Sequence, residues 1–276
     1  MVLKSQNLCL RLPEKGPVIF EDISFELNEG ETGYVYGPSG SGKTTLGLAL
    51  CGYIPLWAGS WKLDGTIELH GKSLVQGSPA SGTDMILENP YTQLSGLKRT
   101  VFQELAFPLE CRGVKPMEMP PLIGEYAELL GITRLLGRNI RTLSGGELQR
   151  VLIAGSLITK PEFLFLDRPL TEIDMDFRPV LLEILRSRIK ETGSAALISE
   201  DPWLVDKNSF DSDFFLGKEE DTDPKFIPAK VYHKRKDFSS AHSPLLSVES
   251  LSFSYETGKQ VVSGCSLSLD SGDIGE

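Results

Sequence analysis

The fold is decided by the stretch Gly37-Pro38-Ser39-Gly40-Ser41-Gly42-Lys43-Thr44, which matches the pattern GxxxxGK[ST]. It lies between a short strand pattern, Gly33–Tyr36, and a helix-forming stretch, Thr45–Leu50. Glycines let successive backbone N–H groups converge on phosphate oxygens, and a helix N-terminus adds positive potential. Lys43 brings a charge to the β- and γ-phosphates, and the Thr44 hydroxyl suits Mg²⁺. The residues predicted to bind a nucleotide are Gly37, Pro38, Ser39, Gly40, Ser41, Gly42, Lys43, Thr44 and Thr45.

The rest of the chain alternates strand and helix patterns around this loop. Strand patterns alternate in hydrophobicity or form short apolar runs, whereas helix patterns space apolar residues three and four apart. Strands that alternate with helices favour an α/β fold with a mainly parallel sheet, here with a helical insertion. The predicted strands include Val18–Leu27, Trp61–Leu69, Met85–Leu87, Phe163–Leu166 and Ala195–Ser199, and the predicted helices are Val101–Leu109, Met119–Leu130, Ser144–Thr159 and Phe177–Glu191.

Composition excludes several classes of protein. The 276 residues carry a net charge of −10, which disfavours general binding to nucleic acid or anionic membrane. The longest apolar run, Val151–Thr159, is about half of what a bilayer span requires. The four cysteines, Cys9, Cys51, Cys111 and Cys265, have no metal-ligand spacing. They are expected to be reduced, small core residues of a protein in the cytosol.

The C-terminal part of the chain repeats the beginning. A charged, proline-containing segment over 217–244 is predicted to be a linker. After it, Leu246–Phe253 resembles Leu3–Leu10, and Cys265–Asp273 resembles Ile23–Glu31. The expected organisation is a nucleotide-binding domain over 1–216 and the start of a second, incomplete copy over 245–276.

Three further motifs identify the family that the chain resembles. The stretch Leu143-Ser144-Gly145-Gly146-Glu147-Leu148-Gln149 resembles the signature motif of ATP-binding cassette (ABC) ATPases, and it reads as a capping box at a helix start. Phe163–Asp167 resembles the Walker B strand, and Thr171–Asp174 resembles the D-loop. The resemblance implies a P-loop NTPase core, an N-terminal antiparallel β subdomain and a helical subdomain over about 94–150. It also implies Thr44 and Asp167 at Mg²⁺, the signature residues Leu143, Ser144, Gly145, Gly146 and Glu147, and Asp174 in the D-loop.

One branch of the family is closer in sequence. Asn89–Leu94, Thr100–Phe107 and the long Cys51–Gly65 segment are similar to the energy-coupling-factor ATPases that power vitamin and metal-ion uptake. The resemblance implies ATP and Mg²⁺ as cofactors, and two cassettes facing head to tail, each ATP held between one P-loop and the opposite signature. It implies a transmembrane subunit as partner, no nucleic acid partner, and a cytoplasmic location on the inner face of the membrane. Leu94, Leu97 and Phe102 are expected to be either that membrane-partner contact or the core of the helical subdomain.

The chain departs from the family pattern around the nucleotide. Arg168 occupies the catalytic glutamate position, Glu200 the switch histidine position, and Glu88 the Q-loop glutamine position. A guanidinium cannot accept a proton from water, so no catalytic residue is intact. The adenine-stacking aromatic is missing, because Leu12 aligns with Tyr255 of the second copy. We therefore expect this site to bind Mg-ATP but to hydrolyse it poorly, with Arg168 and Glu200 paired near the γ-phosphate and Glu88 joining them or the metal.

Two other functions fit parts of this pattern. The first is a nucleotide-binding regulatory module that does not hydrolyse ATP, which Arg168 and Glu200 favour. The second is a soluble tandem ABC protein acting on ribosomes or nucleic acid, which the net charge of −10 and the proline-broken linker disfavour. Arg168 is alternatively a drifted surface residue without a role.

Overall fold

The computed structural model describes residues 1–13, 16–54, 61–74, 81–217, 246–254 and 260–269. The chain forms two compact units, Met1–Phe226 and Ile227–Glu276. Nearly all of the predicted linker, and Tyr255, lie outside the described residues. Within the described ranges, no helix has the length and apolar character needed to cross a membrane.

A five-stranded sheet forms the centre of the first unit. All its strand pairs are parallel, and its strand order is β6-β7-β8-β3-β9. The α/β fold with a mainly parallel sheet is confirmed, but β9 was not predicted, because its four residues show no clear alternation. The strands are β3 (Thr32–Tyr36), β6 (Thr83–Ile86), β7 (Phe163–Asp167), β8 (Ala195–Ser199) and β9 (Ser212–Phe215).

A second, antiparallel sheet is built from the N-terminal part of the chain. Its strand order is β2-β1-β4-β5. Alternate apolar residues of these strands are buried, because only one side of the strand pair faces the core. The strands are β1 (Leu3–Arg11), β2 (Val18–Leu27), β4 (Lys62–Leu69) and β5 (Lys72–Ser73).

Five α-helices accompany the sheets in the described part of the first unit. Their ends follow local signals: Thr100 and Ser144 each form a capping box, and Gly193, with φ 69°, ends the last helix. The predicted helices are found, with ends shifted by up to two residues. The helices are α1 (Lys43–Leu50), α2 (Val101–Cys111), α3 (Met119–Leu129), α4 (Gly145–Ile158) and α5 (Arg178–Thr192).

Packing of the helical region decides the role of three apolar residues. Leu94 and Phe102 are partly buried against the core that α2, α3 and α4 share. Leu97, in contrast, is 73% exposed. Of the two expected roles, Leu94 and Phe102 therefore have the core role. Leu97 lies at the surface, where a contact with a partner is open to it.

The prediction that all four cysteines are core residues is wrong. Cys51 is buried and Cys9 is half-buried, but Cys111 and Cys265 are exposed. Cys111 is the last residue of α2 and is exposed, like the preceding Glu110.

In the second unit the described residues form one antiparallel hairpin. Its strands are β10 (Leu246–Ser254) and β11 (Gln260–Leu269). The hairpin occupies the segment in which the sequence repeats β1 and β2.

Candidate nucleotide-binding site

The P-loop joins the end of β3 to the start of α1. Gly42 precedes the helix with φ 95°, in a region that favours glycine, and a Cβ there would lie 2.7 Å from Ile19 Cγ2. Gly40 has φ 81°, and a Cβ at this position would meet no atom within 4 Å. Among the described residues, the buried hydroxyl of Ser41 has no hydrogen-bond partner. The loop therefore combines open space with an unsatisfied polar atom, as a phosphate cradle requires.

Lys43 lies across this loop. Its Nζ donates hydrogen bonds to the carbonyl oxygens of Gly37 (2.8 Å) and Pro38 (2.9 Å). Burial lowers the pKa of Lys43, and the carboxylates of Asp201 and Asp167 partly oppose this shift. The ammonium is thus held at the loop by neutral carbonyl groups in a partly buried position. An anion that binds there would stabilise its charge.

The residues predicted to bind Mg²⁺ lie together. Thr44 Oγ1 donates a hydrogen bond to Asp167 Oδ2 at 2.5 Å. Asp167 is buried at the carboxyl end of β7, and burial raises the pKa of its carboxyl group, while the bond from Thr44 opposes the shift. Magnesium prefers oxygen ligands of this kind. The pair fits a Mg²⁺ ion, which would neutralise phosphate charge when bound.

Arg168 follows Asp167 and is held by two carboxylates. Its Nη1 lies 3.1 Å from Glu88 Oε1, and its Nη2 is bonded to Asp201 Oδ2. Its backbone is left-handed (φ 48°), and its N–H donates to the carbonyl of Ser199 at 2.7 Å. Burial lowers the pKa of the Arg168 guanidinium, but the carboxylates of Asp201 and Glu88 raise it. The net result is a pKa above the usual value for arginine. The guanidinium therefore stays charged and cannot act as a base.

The expected pairing of Arg168 with Glu200 is wrong. Glu200 is 1% exposed and faces the protein, where its Oε2 accepts from the Leu170 N–H (2.8 Å) and its Oε1 from the Asp201 N–H (3.0 Å). Burial raises the pKa of Glu200, and these two N–H groups oppose the shift. The next residue, Asp201, takes the place beside Arg168 that we had expected for Glu200.

Glu88 is held in position through Gln93. The Gln93 amide accepts from the Leu87 N–H and donates to the Met85 carbonyl, both at 2.7 Å. These bonds fix the backbone that leads from β6 to Glu88. Of the two alternatives for Glu88, the ion pair with Arg168 is the one that the structure contains.

The signature residues form a separate group on α4. Ser144 accepts from the Glu147 N–H at 3.3 Å, and Glu147 accepts from the Ser144 N–H at 2.9 Å, which completes the predicted capping box. Gly145 and Gly146 pack against Glu172: a Cβ on Gly145 would lie 2.2 Å from Glu172 Oε2. In the described part of the chain, the hydrogen bonds and ion pairs of the signature do not reach the P-loop. Asp174 is exposed, and its carbonyl accepts from the Phe177 N–H at 2.9 Å.

Sequence reasoning missed two members of these groups. Asp201 has no motif of its own, although its place two residues after β8 and beside Glu200 marks it as a candidate. Glu172 was part of the D-loop match, but only the packing shows its contact with the signature glycines. A contact between segments so far apart in sequence leaves no local pattern.

Comparison with known proteins agrees with this geometry. A family model described as ABC transporter matches residues 20–171. The molybdate/tungstate import ATP-binding protein WtpC of Pyrococcus horikoshii is 37% identical over 177 residues, which is 64% of this chain and 49% of that protein. The energy-coupling factor transporter ATP-binding protein EcfA1 of Mycoplasmopsis pulmonis is 32% identical over 199 residues, 72% of each chain. The chain spans about half the length of the WtpC relatives that it matches (49% and 51%).

Solved structures share the fold. CbiO1 from Clostridium perfringens, described as part of the ABC transporter complex CbiONQ, aligns with a TM-score of 0.66 at 23% identity. The alignment covers 78% of this chain and 84% of that one. The parallel sheet and the antiparallel β subdomain are those of ABC cassettes. With the matched family model and the P-loop geometry, these findings show that the chain belongs to the ABC transporter ATP-binding family.

Proposed function

We propose that this chain is the ATP-binding energy module of an ABC importer of energy-coupling-factor type, for uptake of a vitamin or metal ion. The names of two relatives support this proposal: one is a molybdate/tungstate import ATP-binding protein, and the other is an energy-coupling factor transporter ATP-binding protein. In this proposal the chain works at the inner face of the membrane with a transmembrane subunit. The exposed Leu97 and Tyr91, which is 55% exposed, are surface candidates for that contact.

We further propose that the chain's own site binds Mg-ATP but hydrolyses it very slowly. The observation that carries this proposal is the ion-pair group of Arg168 with Glu88 and Asp201. It places a permanently charged cation where a base is needed, and loss of a general base typically costs about 10²–10⁴-fold in rate. Lys43, Thr44 and Asp167 keep the groups that binding needs.

The signature is proposed to serve the nucleotide of a partner cassette. Ser144 and the two following glycines leave the N–H groups at the start of α4 open to an anion. The partner's site would then be the one at which ATP is hydrolysed, whereas the site described above holds ATP.

The experiment is a test of nucleotide fate. The purified chain is loaded with an equimolar amount of labelled Mg-ATP, and the bound nucleotide is identified after an hour. We expect ATP to be recovered from the parent protein and no nucleotide from the Lys43→Ala control. Recovery of ADP from the parent alone would contradict the proposal, because another group would then activate the water.

A second function is favoured by the same ion-pair group. If neither cassette turns over ATP, the chain acts as a nucleotide-binding regulatory module, in which ATP only holds two cassettes together. Co-purification separates the two: an energy module is retained with a membrane subunit from detergent extracts, whereas a regulatory module of the soluble fraction is not.

A further inference from the structure

The carboxyl ends of four neighbouring strands bring Arg168, its two carboxylates and the P-loop to one edge of the parallel sheet. The strand order runs β6-β7-β8-β3, and Glu88 follows β6, Arg168 follows β7 and Asp201 follows β8. The P-loop follows β3, which pairs with β8 from Thr32 to Val35. Parallel strands end at the same edge of a sheet, and this is the edge at which ligands of open α/β folds bind. The guanidinium therefore belongs to the same edge as the candidate phosphate cradle.

Two observations tie Arg168 to the groups that face phosphate and Mg²⁺. It directly follows Asp167, whose carboxylate accepts the hydrogen bond from Thr44. Lys43 also responds to it: burial lowers the pKa of Lys43, Asp201 raises it, and the charge of Arg168 lowers it. Two charges influence one another's ionisation in this way only when they lie close together. Mg²⁺ bridges the β- and γ-phosphates of a bound nucleotide in such sites, so the residue after its candidate ligand Asp167 is placed next to that end of the nucleotide.

The guanidinium of Arg168 keeps unused hydrogen-bonding capacity. It carries five N–H donors in a planar fork, which matches the oxygens of a phosphate. Its Nη1 lies by Glu88 and its Nη2 by Asp201, and each of these groups has a second N–H besides the one that faces its carboxylate. In the described part of the chain, the buried Nε has no hydrogen-bond partner. Since the side chain is 33% exposed, a dissolved anion can reach it and find a donor that the carboxylates do not use.

The two carboxylates hold the guanidinium unequally. The side chain of Asp201 is 17% exposed, and its backbone N–H donates to the buried Glu200, so this residue is anchored. The side chain of Glu88 is 48% exposed, and among the described residues its carboxylate has no ion pair or hydrogen bond other than that with Arg168. An exposed ion pair contributes little to stability, because water screens both charges. The bond to Glu88 is therefore the one that an incoming anion displaces more easily.

We propose that Arg168 is a ligand of the γ-phosphate and makes this site selective for ATP over ADP. When ATP binds, Nη1 exchanges the carboxylate of Glu88 for an oxygen of the γ-phosphate, while Asp201 keeps its bond to Nη2. ADP lacks the γ-phosphate, so it leaves the pair of Arg168 with Glu88 intact. This inference rests on the proposed function in one respect, because it takes Mg-ATP as the nucleotide that the site binds.

The test compares equilibrium affinities and does not depend on hydrolysis. The ligands are Mg-ADP and the Mg complex of an ATP analogue whose β–γ bridge cannot be hydrolysed, and titration calorimetry of the purified chain measures both dissociation constants. The variant Arg168→Gln keeps a side chain that can form hydrogen bonds but removes its charge and its fork of donors. The matched control is Arg99→Gln, which changes an exposed arginine.

We expect Arg168→Gln to weaken binding of the ATP analogue roughly 3–10-fold and binding of ADP less than about 2-fold, so that the preference for ATP falls. Arg99→Gln should leave both affinities as in the parent. Equal losses for the two nucleotides would overturn the inference, because the arginine would then only offset its neighbouring carboxylates. Unchanged affinities would overturn it as well.

Glu88→Gln gives an independent result in the opposite direction. It removes the group that competes for Nη1 and leaves Arg168 in place, so we expect affinity for the ATP analogue to rise at least about 3-fold and affinity for ADP to change less than about 2-fold. The exposed Glu128→Gln should behave as the parent. A fall in affinity for the ATP analogue, or an equal gain for ADP, would overturn the exchange.

These outcomes are distinct from a failure of the proposed function. A parent chain that binds neither nucleotide would overturn the proposed function together with this inference. Rapid hydrolysis in the test of nucleotide fate would contradict slow turnover, whereas a selective loss in Arg168→Gln would still support Arg168 as the γ-phosphate ligand.

Discussion

The two halves of the candidate ATP site differ in what they retain. The phosphate half, with Lys43, Thr44 and Asp167, has the residue types and contacts that phosphate and Mg²⁺ require. The second half, called the water half here, is formed by Arg168 with Glu88 and Asp201, and its guanidinium cannot accept a proton. Both halves lie at the carboxyl ends of strands of the same parallel sheet, and they meet at the consecutive residues Asp167 and Arg168.

The largest expected effect is in the phosphate half. Lys43→Ala removes a charge at the position of the β- and γ-phosphates, and we expect ATP affinity to fall by about 10²–10⁴-fold. Equilibrium binding of a fluorescent ATP analogue measures this change. The control is Lys72→Ala, which removes an exposed lysine from the β5 strand. A Lys43→Ala protein that binds as tightly as the control would show that the P-loop does not hold the nucleotide.

The second expected effect is on stability and arises beside the water half. Glu200→Ala leaves the N–H groups of Leu170 and Asp201 without their acceptor. We expect the free energy of unfolding to fall by about 2 kcal/mol, because buried unsatisfied donors cost roughly 1–3 kcal/mol each and the removed charge was itself costly to bury. Urea unfolding measures it, with the exposed Glu29→Ala as control. Equal midpoints for the two variants would assign Glu200 no structural role.

These differences also show what the sequence could and could not predict. The P-loop, the capping box at Ser144 and the alternation of strands and helices along the chain are local patterns, and the structure contains them. Whether Glu200 or Asp201 faces Arg168 depends on how the chain leaves β8, since neighbouring side chains point opposite ways. Neither residue type nor spacing specifies that direction. The strand β9 was missed for a related reason, because a four-residue strand is defined by its pairing with β3.

Replacing Arg168 is expected to change stability less than replacing Glu200 does, and to change ATP affinity more than it changes stability. Arg168→Gly relieves the left-handed backbone but removes two partly exposed ion pairs, so the free energy of unfolding should change by less than about 1 kcal/mol. Glu88 and Asp201 would then face the phosphates without a compensating charge, and ATP affinity should fall roughly 3–10-fold. The exposed Arg99→Gly is the matched control for a lost arginine. Unchanged affinity would mean that Arg168 is a surface residue without influence on the site.

The smallest expected effect is on the pH dependence of the free energy of unfolding. It distinguishes the contribution of Glu200 from that of Asp167 in the phosphate half. Burial raises the pKa of Glu200 above its usual 4.5. The folded chain therefore keeps a proton that the unfolded chain has lost, so this contribution to stability is full below the usual value and is lost as the pH rises through the raised pKa.

Glu200→Gln cannot titrate, and we expect its free energy of unfolding to decline less steeply with rising pH than that of the parent. Asp167, whose pKa burial also raises, is present in both proteins, so the difference between their slopes isolates Glu200. Urea unfolding at several values between about pH 5 and pH 8 measures both slopes. The exposed Glu128→Gln should follow the parent. If Glu200→Gln and Glu128→Gln give parallel curves, then Glu200 is ionised alike in the folded and unfolded chains, and its raised pKa does not contribute to stability.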